Sequence, residues 1–297
     1  QLPTSSVDPF IEGIRRLQSK HLLGAPVENY TVQGDFGSGF TDFKLISGVL
    51  NKYDVSNPFL KEIYKIETDG QSSVYNESNI ANGIFNYDSR YKSQIQFSSY
   101  DGSNGRILQQ NKTNNIPESY IWGYQQQYPI AKVQNAKYTD IAYSSFESQD
   151  NGNWDFSTSN IIGYYSFSGR KCYHANVGTD FVKTHLDLEP LRTYKLSFWS
   201  KGALPVVTKI GPGGVSSNLS LQTPEKTIGE WRYDELVFSG AVSVKVLPEF
   251  IDELRLYPKN SFMTTYTFDP LIGMTGELDA AGKQTFYNYD AFNRLSF

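Results

Sequence analysis

Apolar residues follow helical spacing near the N-terminus and change to short alternating runs after Pro26. The helical positions share one face of a 3.6-residue repeat: Val7, Phe10, Ile11, Ile14 and Leu17. Asp8 and Pro9 provide a cap and a first-turn residue, and Gly24 ends the pattern. The sequence therefore predicts one short amphipathic helix within residues 5–24.

Between Pro26 and Ile141 the apolar runs are short and are separated by turn residues. The predicted strands are Pro26–Val32, Phe43–Leu50, Pro58–Thr68, Tyr91–Tyr100, Arg106–Lys112, Ser119–Trp122 and Ile130–Val133. Asn82-Gly83 and Asp101-Gly102 are turn pairs that favour tight hairpins between alternating runs. Consecutive hairpins of this kind predict an antiparallel meander.

A second series of runs begins near Phe146, with turns at intervals of roughly ten residues. Its predicted strands are Gly163–Phe167, Cys172–Asn176, Tyr194–Lys201, Val206–Ile210, Trp231–Phe238, Ala241–Leu247 and Ile251–Tyr257. This rhythm is typical of a β-sandwich. We predict an all-β fold in which a hairpin meander (residues 1–145) precedes a β-sandwich or jelly roll (146–260) and a repeat segment (261–297).

Composition supports the all-β class and narrows the function. Aromatic residues make up 15% of the 297 residues, including 21 Tyr and 19 Phe, and such side chains suit half-buried strand surfaces. The formal net charge of -4 and the absence of a basic cluster argue against nucleic acid as a partner. No apolar run is long enough to predict a membrane span.

The residue types that carry catalysis are sparse. The single cysteine, Cys172, predicts a buried apolar side chain, and the three histidines show no metal-binding spacing. The adjacent carboxylates Asp252 and Glu253 are expected on opposite faces of one strand, so they should not act as a pair. We therefore predict that this chain is not an enzyme.

An internal repeat ends the chain. The segment that starts at Tyr266 aligns with the segment that starts at Tyr287, an offset of 21 residues, and both read aromatic, any residue, aromatic, Asp. In this pattern the Asp carboxylate caps the backbone N–H groups of the following turn, and a Gly or Asn accepts a positive φ. A lone hairpin cannot bury its aromatic face, so such units are expected to stack.

This repeat resembles the tyrosine–aspartate (YD) repeat of the RHS and teneurin families. The second unit matches the family pattern at Gly282, Tyr287, Tyr289, Asp290, Arg294 and Leu295. It departs at Asn293, where the family has Gly, and the first unit (Tyr266, Phe268, Asp269) has Met274 in place of Arg. The segments Tyr120–Tyr124, Tyr128–Val133 and Ile251–Pro258 look like stretches that precede YD repeats in large surface proteins of Bacteroidetes.

The resemblance implies a scaffold that is extracellular or on the outer cell surface, with type IX secretion as its export route. Its implied partners are the remainder of a larger polypeptide or surface assembly, the secretion machinery, or a glycan. In the family, the repeats wind into a large β-shell.

Residues 146–260 resemble a jelly roll of the carbohydrate-binding type. The matching segments are Phe146-Glu147, Trp154, Tyr194–Lys201, Gly229–Trp231 and Ile251–Tyr257. Similar modules hold a structural Ca²⁺ with carboxylates of the first and last strands, which implies Glu147 and Asp252 as oxygen ligands. The alternative is that both carboxylates cap turns or form ion pairs.

Glycan recognition would require exposed, coplanar aromatic rings on a concave face. The candidates are Trp154, Tyr164, Tyr165 and Tyr173. The alternative for Trp154 is a place in the core, as we expect for Trp199 and Trp231, which lie within alternating strands.

Three functions stay open at this point. The first is a non-enzymatic scaffold segment of an RHS/YD-repeat surface protein. The second is a glycan-binding adhesin module, and the third is an accessory fragment of a glycoside hydrolase.

Overall fold

The computed structural model describes residues 8–34, 43–66, 68, 75–176, 180–224 and 226–296. The chain divides into two compact units, Gln1–Asn115 and Ile116–Phe297. Antiparallel strands dominate both units, which confirms the predicted all-β class. The predicted domain boundaries near residues 145 and 260 stay a prediction.

The first unit contains the predicted helix, α1 (Pro9–Ser19). The Asp8 carboxylate accepts the N–H groups of Phe10 at 2.8 Å and Ile11 at 3.3 Å, which confirms the predicted cap. Phe10, Ile11 and Leu17 of the predicted apolar face are buried, whereas Val7 lies outside the described residues. The helix ends before Gly24, because Lys20 is no longer helical and His21 has a φ of 58°.

The strands of the first unit are β1 (Glu28–Gly34), β2 (Phe43–Tyr53), β3 (Leu60–Ile66), β4 (Asn79–Ala81), β5 (Ile84–Asn86), β6 (Lys92–Tyr100) and β7 (Ile107–Lys112). Within this unit, sheet order is β1-β2-β3-β6-β7, and β4 pairs with β5. The β4–β5 turn has a φ of 53° at Asn82 and 75° at Gly83, as the Asn-Gly pair predicts. The apolar core consists of Phe10, Ile11, Leu45, Leu50, Ile66, Phe85 and Tyr91.

The second unit contains the strands β8 (Pro117–Gly123), β9 (Tyr128–Gln134), β10 (Ala142–Ser144), β11 (Trp154–Asp155), β12 (Ile161–Ile162), β13 (Cys172–His174), β14 (Val182–Thr184), β15 (Tyr194–Lys201), β16 (Val206–Ile210), β17 (Ser216–Leu219), β18 (Lys226–Ile228), β19 (Trp231–Phe238), β20 (Ser243–Leu247), β21 (Phe250–Pro258), β22 (Phe262–Asp269), β23 (Gly273–Leu278), β24 (Gln284–Phe286), β25 (Asn288–Tyr289) and β26 (Leu295–Ser296). Short 3-10 turns lie at Tyr138–Asp140, Thr158–Asn160 and Pro212–Gly214.

A β-sandwich occupies the middle of this unit, as predicted. Its larger sheet has the order β12-β13-β21-β15-β19-β18, and β10 also pairs with β21. Its smaller sheet has the order β11-β14-β20-β16-β17. The chain passes repeatedly between the two sheets, which is the connectivity of a jelly roll. The core between them includes Ala142, Phe146, Trp154, Tyr173, Leu196, Phe198, Val244 and Ile251.

A third sheet of this unit, β8-β9-β22-β23-β24, joins segments from both sides of the sandwich. Strand β9 pairs with β22, with Met263 opposite Val133, so the sandwich is an insertion between these two strands. Tyr257 of the sandwich shares an apolar cluster with Ile130 and Met263. Buried Arg255 also links the two parts, because its Nη2 donates to Thr265 Oγ1 at 2.7 Å.

One predicted strand is wrong. Residues Gly163–Phe167 form a loop, and Tyr165 in it has a φ of 63°. The N–H of Phe167 donates to the Asp252 carboxylate at 2.8 Å and not to a neighbouring strand. The apolar residues that suggested a strand belong to a loop that covers one face of the sandwich, where Phe167 stacks on Trp199.

Candidate functional site

Two adjacent tyrosines project from the loop between β12 and β13. Tyr164 is 57% exposed and Tyr165 is 58% exposed. Their ring centroids are 5.1 Å apart, and the ring planes meet at 76°. The pair therefore forms an exposed aromatic corner and not the coplanar platform expected from sequence.

Three neighbouring side chains extend this aromatic corner. The Lys201 Nζ lies 4.1 Å from the centroid of the Tyr165 ring, within cation–π range. Phe250 contacts Tyr165 edge to face at 6.1 Å and stacks on the His174 ring at 4.3 Å. We call these five residues, Tyr164, Tyr165, His174, Lys201 and Phe250, the tyrosine surface.

The loop that carries the tyrosines packs tightly on the sandwich. The Phe167 ring stacks on the Trp199 ring with centroids 3.8 Å apart and an angle of 12°. Trp231 and Cys172 complete an apolar cluster under the loop, and the Cys172 thiol donates to the Tyr164 carbonyl at 3.6 Å. Burial raises the pKa of this thiol to about 12, so it is a packed apolar group, as the sequence predicts.

A bulge in β21 brings two carboxylates to the same loop. Asp252 accepts the N–H of Ser168 at 3.0 Å, and Glu253 accepts the Ser168 hydroxyl at 2.6 Å. The expectation that these adjacent carboxylates point to opposite faces is wrong. The pairing of β15 with β21 shifts register between Ser197 and Trp199, and Glu253 has a φ of 51°, which breaks the strand alternation.

Glu147 holds the other end of the loop. Its Oε1 accepts the N–H groups of Arg170 at 2.7 Å and Lys171 at 2.6 Å. Gly169, which precedes Arg170, has a φ of 58°, and a Cβ there would collide with the Glu147 carboxylate. A carboxylate from each end of the sandwich sequence thus fixes the loop through backbone N–H groups.

Glu147 and Asp252 are also the predicted calcium ligands. Glu147 and Asp252 offer the oxygen donors that Ca²⁺ prefers, and both contact the same loop. Their oxygens accept N–H groups of this loop, and the described ranges contain no group of three or more His, Cys, Asp or Glu side chains arranged to hold a metal ion. Calcium binding by Glu147 and Asp252 stays a prediction.

Burial of these carboxylates predicts a pH-dependent stability. Burial, and then the Glu253 charge, raise the pKa of Asp252, and burial also raises the pKa of Glu147. A raised pKa in the folded protein favours folding at low pH, and this contribution is lost as pH rises through the folded pKa. We expect the free energy of unfolding in EDTA to rise by up to about 1 kcal/mol per pH unit as pH falls from 8 to 5.5.

Denaturant titrations followed by tryptophan fluorescence measure this dependence. The variant Asp252→Asn should flatten it, because the amide does not titrate. Carboxylates with lowered pKa, such as Asp88, lose their contribution only near or below the usual carboxylate range and do not affect this window. Equal slopes for the wild type and Asp252→Asn would contradict the expectation.

Two of the predicted glycan contacts are wrong. Trp154 and Tyr173 are both 0% exposed and belong to the sandwich core, so neither can contact a glycan. The alternative reading of Trp154 as a core residue is correct, and Trp199 and Trp231 are buried as expected. Sequence alternation did not identify Lys201 or Phe250, because they become neighbours of Tyr165 only through the pairing of β15 with β21.

The C-terminal repeat unit has the predicted turn chemistry. Asp290 accepts the N–H groups of Phe292 at 2.8 Å and Arg294 at 3.0 Å, and Asn293 has a φ of 58°. The Tyr289 hydroxyl donates to the Met274 carbonyl at 2.8 Å, and Gly282 has a φ of 79°. The unit therefore has an Asp-capped turn next to an aromatic strand.

The first repeat, which starts at Tyr266, does not have this turn chemistry. Asp269 forms an ion pair with Arg170 of the tyrosine loop at 2.6 Å. Tyr266 lies on β22, and the Phe268 ring stacks on Tyr128 with centroids 4.8 Å apart. Leu271 supplies a left-handed φ of 72° in the turn that follows Asp269.

Across the described residues, no helix combines the length and apolar content that a bilayer crossing requires. No protein-family model matches the chain, and no curated protein matches it.

Two solved structures are similar to part of this chain. One is the N-terminal CBM22-1–CBM22-2 tandem domain of Paenibacillus barcinonensis Xyn10C, with 15% identity over 40% of this chain and 45% of that chain and a TM-score of 0.30. The other is the enzymatically active domain of tailspike protein 4 of bacteriophage CBA120, with 12% identity over 41% of this chain and 18% of that chain and a TM-score of 0.19. The aligned segments span less than half of either solved chain.

Proposed function

We propose that the sandwich binds carbohydrate through the tyrosine surface. One observation carries this proposal: Tyr164 and Tyr165 are more than half exposed on a loop that buried groups hold in place. A cluster of exposed aromatic side chains on a fixed loop is the kind of surface patch that marks a binding site. The left-handed φ of 63° at Tyr165 adds backbone strain that the loop contacts must sustain.

The chemistry of the surface suits a sugar ring. The Tyr faces can stack on sugar C–H groups, and their hydroxyls can bond sugar hydroxyls. Lys201 supplies ammonium donors and Glu230, which pairs with it at 2.6 Å, supplies carboxylate acceptors. Because the loop is already ordered, binding costs little additional conformational entropy.

The shape of the surface favours glycan chains over a small enclosed ligand. The two rings form an open corner, and a chain can contact both rings along its length. We propose that the protein contacts a polysaccharide or a surface glycan through this corner without modifying it. An extracellular or outer-surface location belongs to the same proposal.

Binding to insoluble polysaccharides tests this function. We expect the wild-type chain to be depleted from solution by at least one of cellulose, chitin or xylan, and the double variant Tyr164→Ala/Tyr165→Ala to bind at least about tenfold more weakly, a loss of about 1.4 kcal/mol. Leu191→Ala, a change at a residue that is 94% exposed, is the matched control and should bind normally. Equal depletion of the double variant and the wild type would contradict the proposal.

A scaffold role is the second candidate, and the Asp290 turn supports it. This unit reproduces the turn geometry that the YD-repeat resemblance implies, and β22, β23 and β24 form consecutive antiparallel hairpin strands. The scaffold proposal expects further Tyr-x-Tyr-Asp units, about 21 residues apart, in the reading frame that encodes this chain. A complete frame that lacks such units would contradict it.

A further inference from the structure

A cleft of about 520 Å³ lies at the turn of the β8–β9 hairpin in the second unit. The cleft is lined by Tyr124, Tyr128 and Pro270, by Gln125 and Gln127 of the turn, and by Ser148, Gln149 and Asp150. The cleft and the tyrosine surface have no residue in common. Its volume lies within the range typical of small-ligand sites.

The turn at the cleft has an unusual backbone. Tyr124, Gln125 and Gln126 have consecutive left-handed φ values of 53°, 59° and 63°. Each non-glycine residue in the left-handed conformation destabilises the fold by roughly 1 kcal/mol, so the surrounding contacts must hold this turn in place. Asp150 does so by accepting the Gln125 N–H at 3.0 Å and the Gln126 amide at 3.3 Å.

The aromatic wall of the cleft is rigid. The Tyr128 ring stacks on Phe268 with an angle of 18°, and Tyr124 meets Tyr128 edge to face at 5.9 Å. The Tyr124 hydroxyl accepts the Phe268 N–H at 2.9 Å, which ties the turn to β22. The cleft therefore presents a fixed aromatic surface to any ligand.

The polar groups of the cleft indicate a neutral, hydroxyl-rich ligand. Gln125, Gln127 and Gln149 line the cleft, and all three are exposed. Each amide can donate and accept at once, which matches pairs of adjacent hydroxyls. The described residues that line the cleft include no Lys or Arg, so a phosphate or other anion would have no counter-charge.

We propose that this cleft binds one or two sugar units of a saccharide. The glutamine amides and Asp150 bond the hydroxyls, and the tyrosine wall contacts the apolar face of the ring. The cleft has room for a short ligand, whereas the tyrosine surface is an open corner. The inference rests on different residues from the proposed function and does not depend on it.

Saturation-transfer difference NMR with cellobiose, lactose, maltose and diacetylchitobiose tests this site in the full chain. We expect transfer to at least one disaccharide, reduced at least about fivefold in Gln127→Ala/Gln149→Ala. The variant Tyr164→Ala/Tyr165→Ala should leave the transfer unchanged, which separates this cleft from the tyrosine surface. Circular dichroism checks that each variant is folded, and both glutamines are exposed, so the fold should persist.

Two outcomes would overturn the proposal. The first is an absence of transfer to every disaccharide tested. The second is transfer that the glutamine variant leaves intact, whether or not the tyrosine variant removes it.

Discussion

Replacing Trp154 by alanine is expected to lower the free energy of unfolding of the second unit by about 3–5 kcal/mol. The side chain is fully buried in the sandwich core, where it packs with the cluster that includes Phe146 and Tyr173. Its removal would lose apolar burial and leave a cavity between the two sheets. Denaturant unfolding followed by circular dichroism measures this loss.

Two controls separate a core role from a binding role for Trp154. The indole Nε1 is buried and has no hydrogen-bond partner among the described residues, so Trp154→Phe should cost much less than Trp154→Ala. Tyr164→Ala, at a mostly exposed side chain, should change stability by less than about 0.5 kcal/mol. A small effect of Trp154→Ala would show that this residue is not part of the core.

Replacing Gly152 by alanine is expected to cost more than about 3 kcal/mol. Gly152 has a φ of 58°, and a Cβ there would overlap the carbonyl oxygen of Tyr143. Its own carbonyl accepts the Tyr143 N–H at 2.9 Å, so the chain cannot move away without breaking this bond. Gly152→Ala therefore lowers the free energy of unfolding in two ways. Alanine is disfavoured in the left-handed conformation, and its Cβ overlaps a neighbouring carbonyl in the segment that leads into β11.

Gly229 is the matched control for this prediction. It also has a φ of 58°, but a Cβ there would meet nothing within 4 Å. Gly229→Ala should therefore cost only about 1–2 kcal/mol, the penalty of the left-handed conformation alone. Thermal unfolding of both variants tests the difference, and equal losses of stability would contradict a steric role for Gly152.

Local chemistry was predictable from sequence where short-range rules act. The Asp8 cap, the Asn82-Gly83 turn and the Asp290 turn all follow from residues within a few positions of one another. Strands such as β15 and β19 were also predictable, because their apolar alternation reflects burial between two sheets. Such features can be predicted without knowing which distant residues come into contact.

The candidate site was predictable only in part. The exposure of Tyr164 and Tyr165 depends on a loop that distant carboxylates hold, and apolar alternation there suggested a strand. Tyr173 has the same local character as Tyr165 but lies in the core, because β13 pairs with β21 and turns that side chain inward. Long-range pairing, and not local pattern, decides which aromatic residues face solvent.

The bulge at Glu253 is another feature that depends on long-range strand pairing and that the local sequence did not predict. Strand alternation separates adjacent side chains, yet the left-handed residue brings Asp252 and Glu253 together at Ser168. The two acidic residues thereby position the tyrosine loop. The prediction that the two side chains point to opposite faces was wrong because a bulge arises from the register between two strands. The sequence of one strand does not specify that register.

A glycan array measures whether the exposed side chains of Tyr164 and Tyr165 bind glycans. We expect the wild-type chain to bind a defined set of glycans, and Tyr164→Ala/Tyr165→Ala to lose this set while keeping the wild-type unfolding curve. Equal binding of the same glycans by the double variant, or no binding by the wild-type chain, would show that these tyrosines do not form a glycan site.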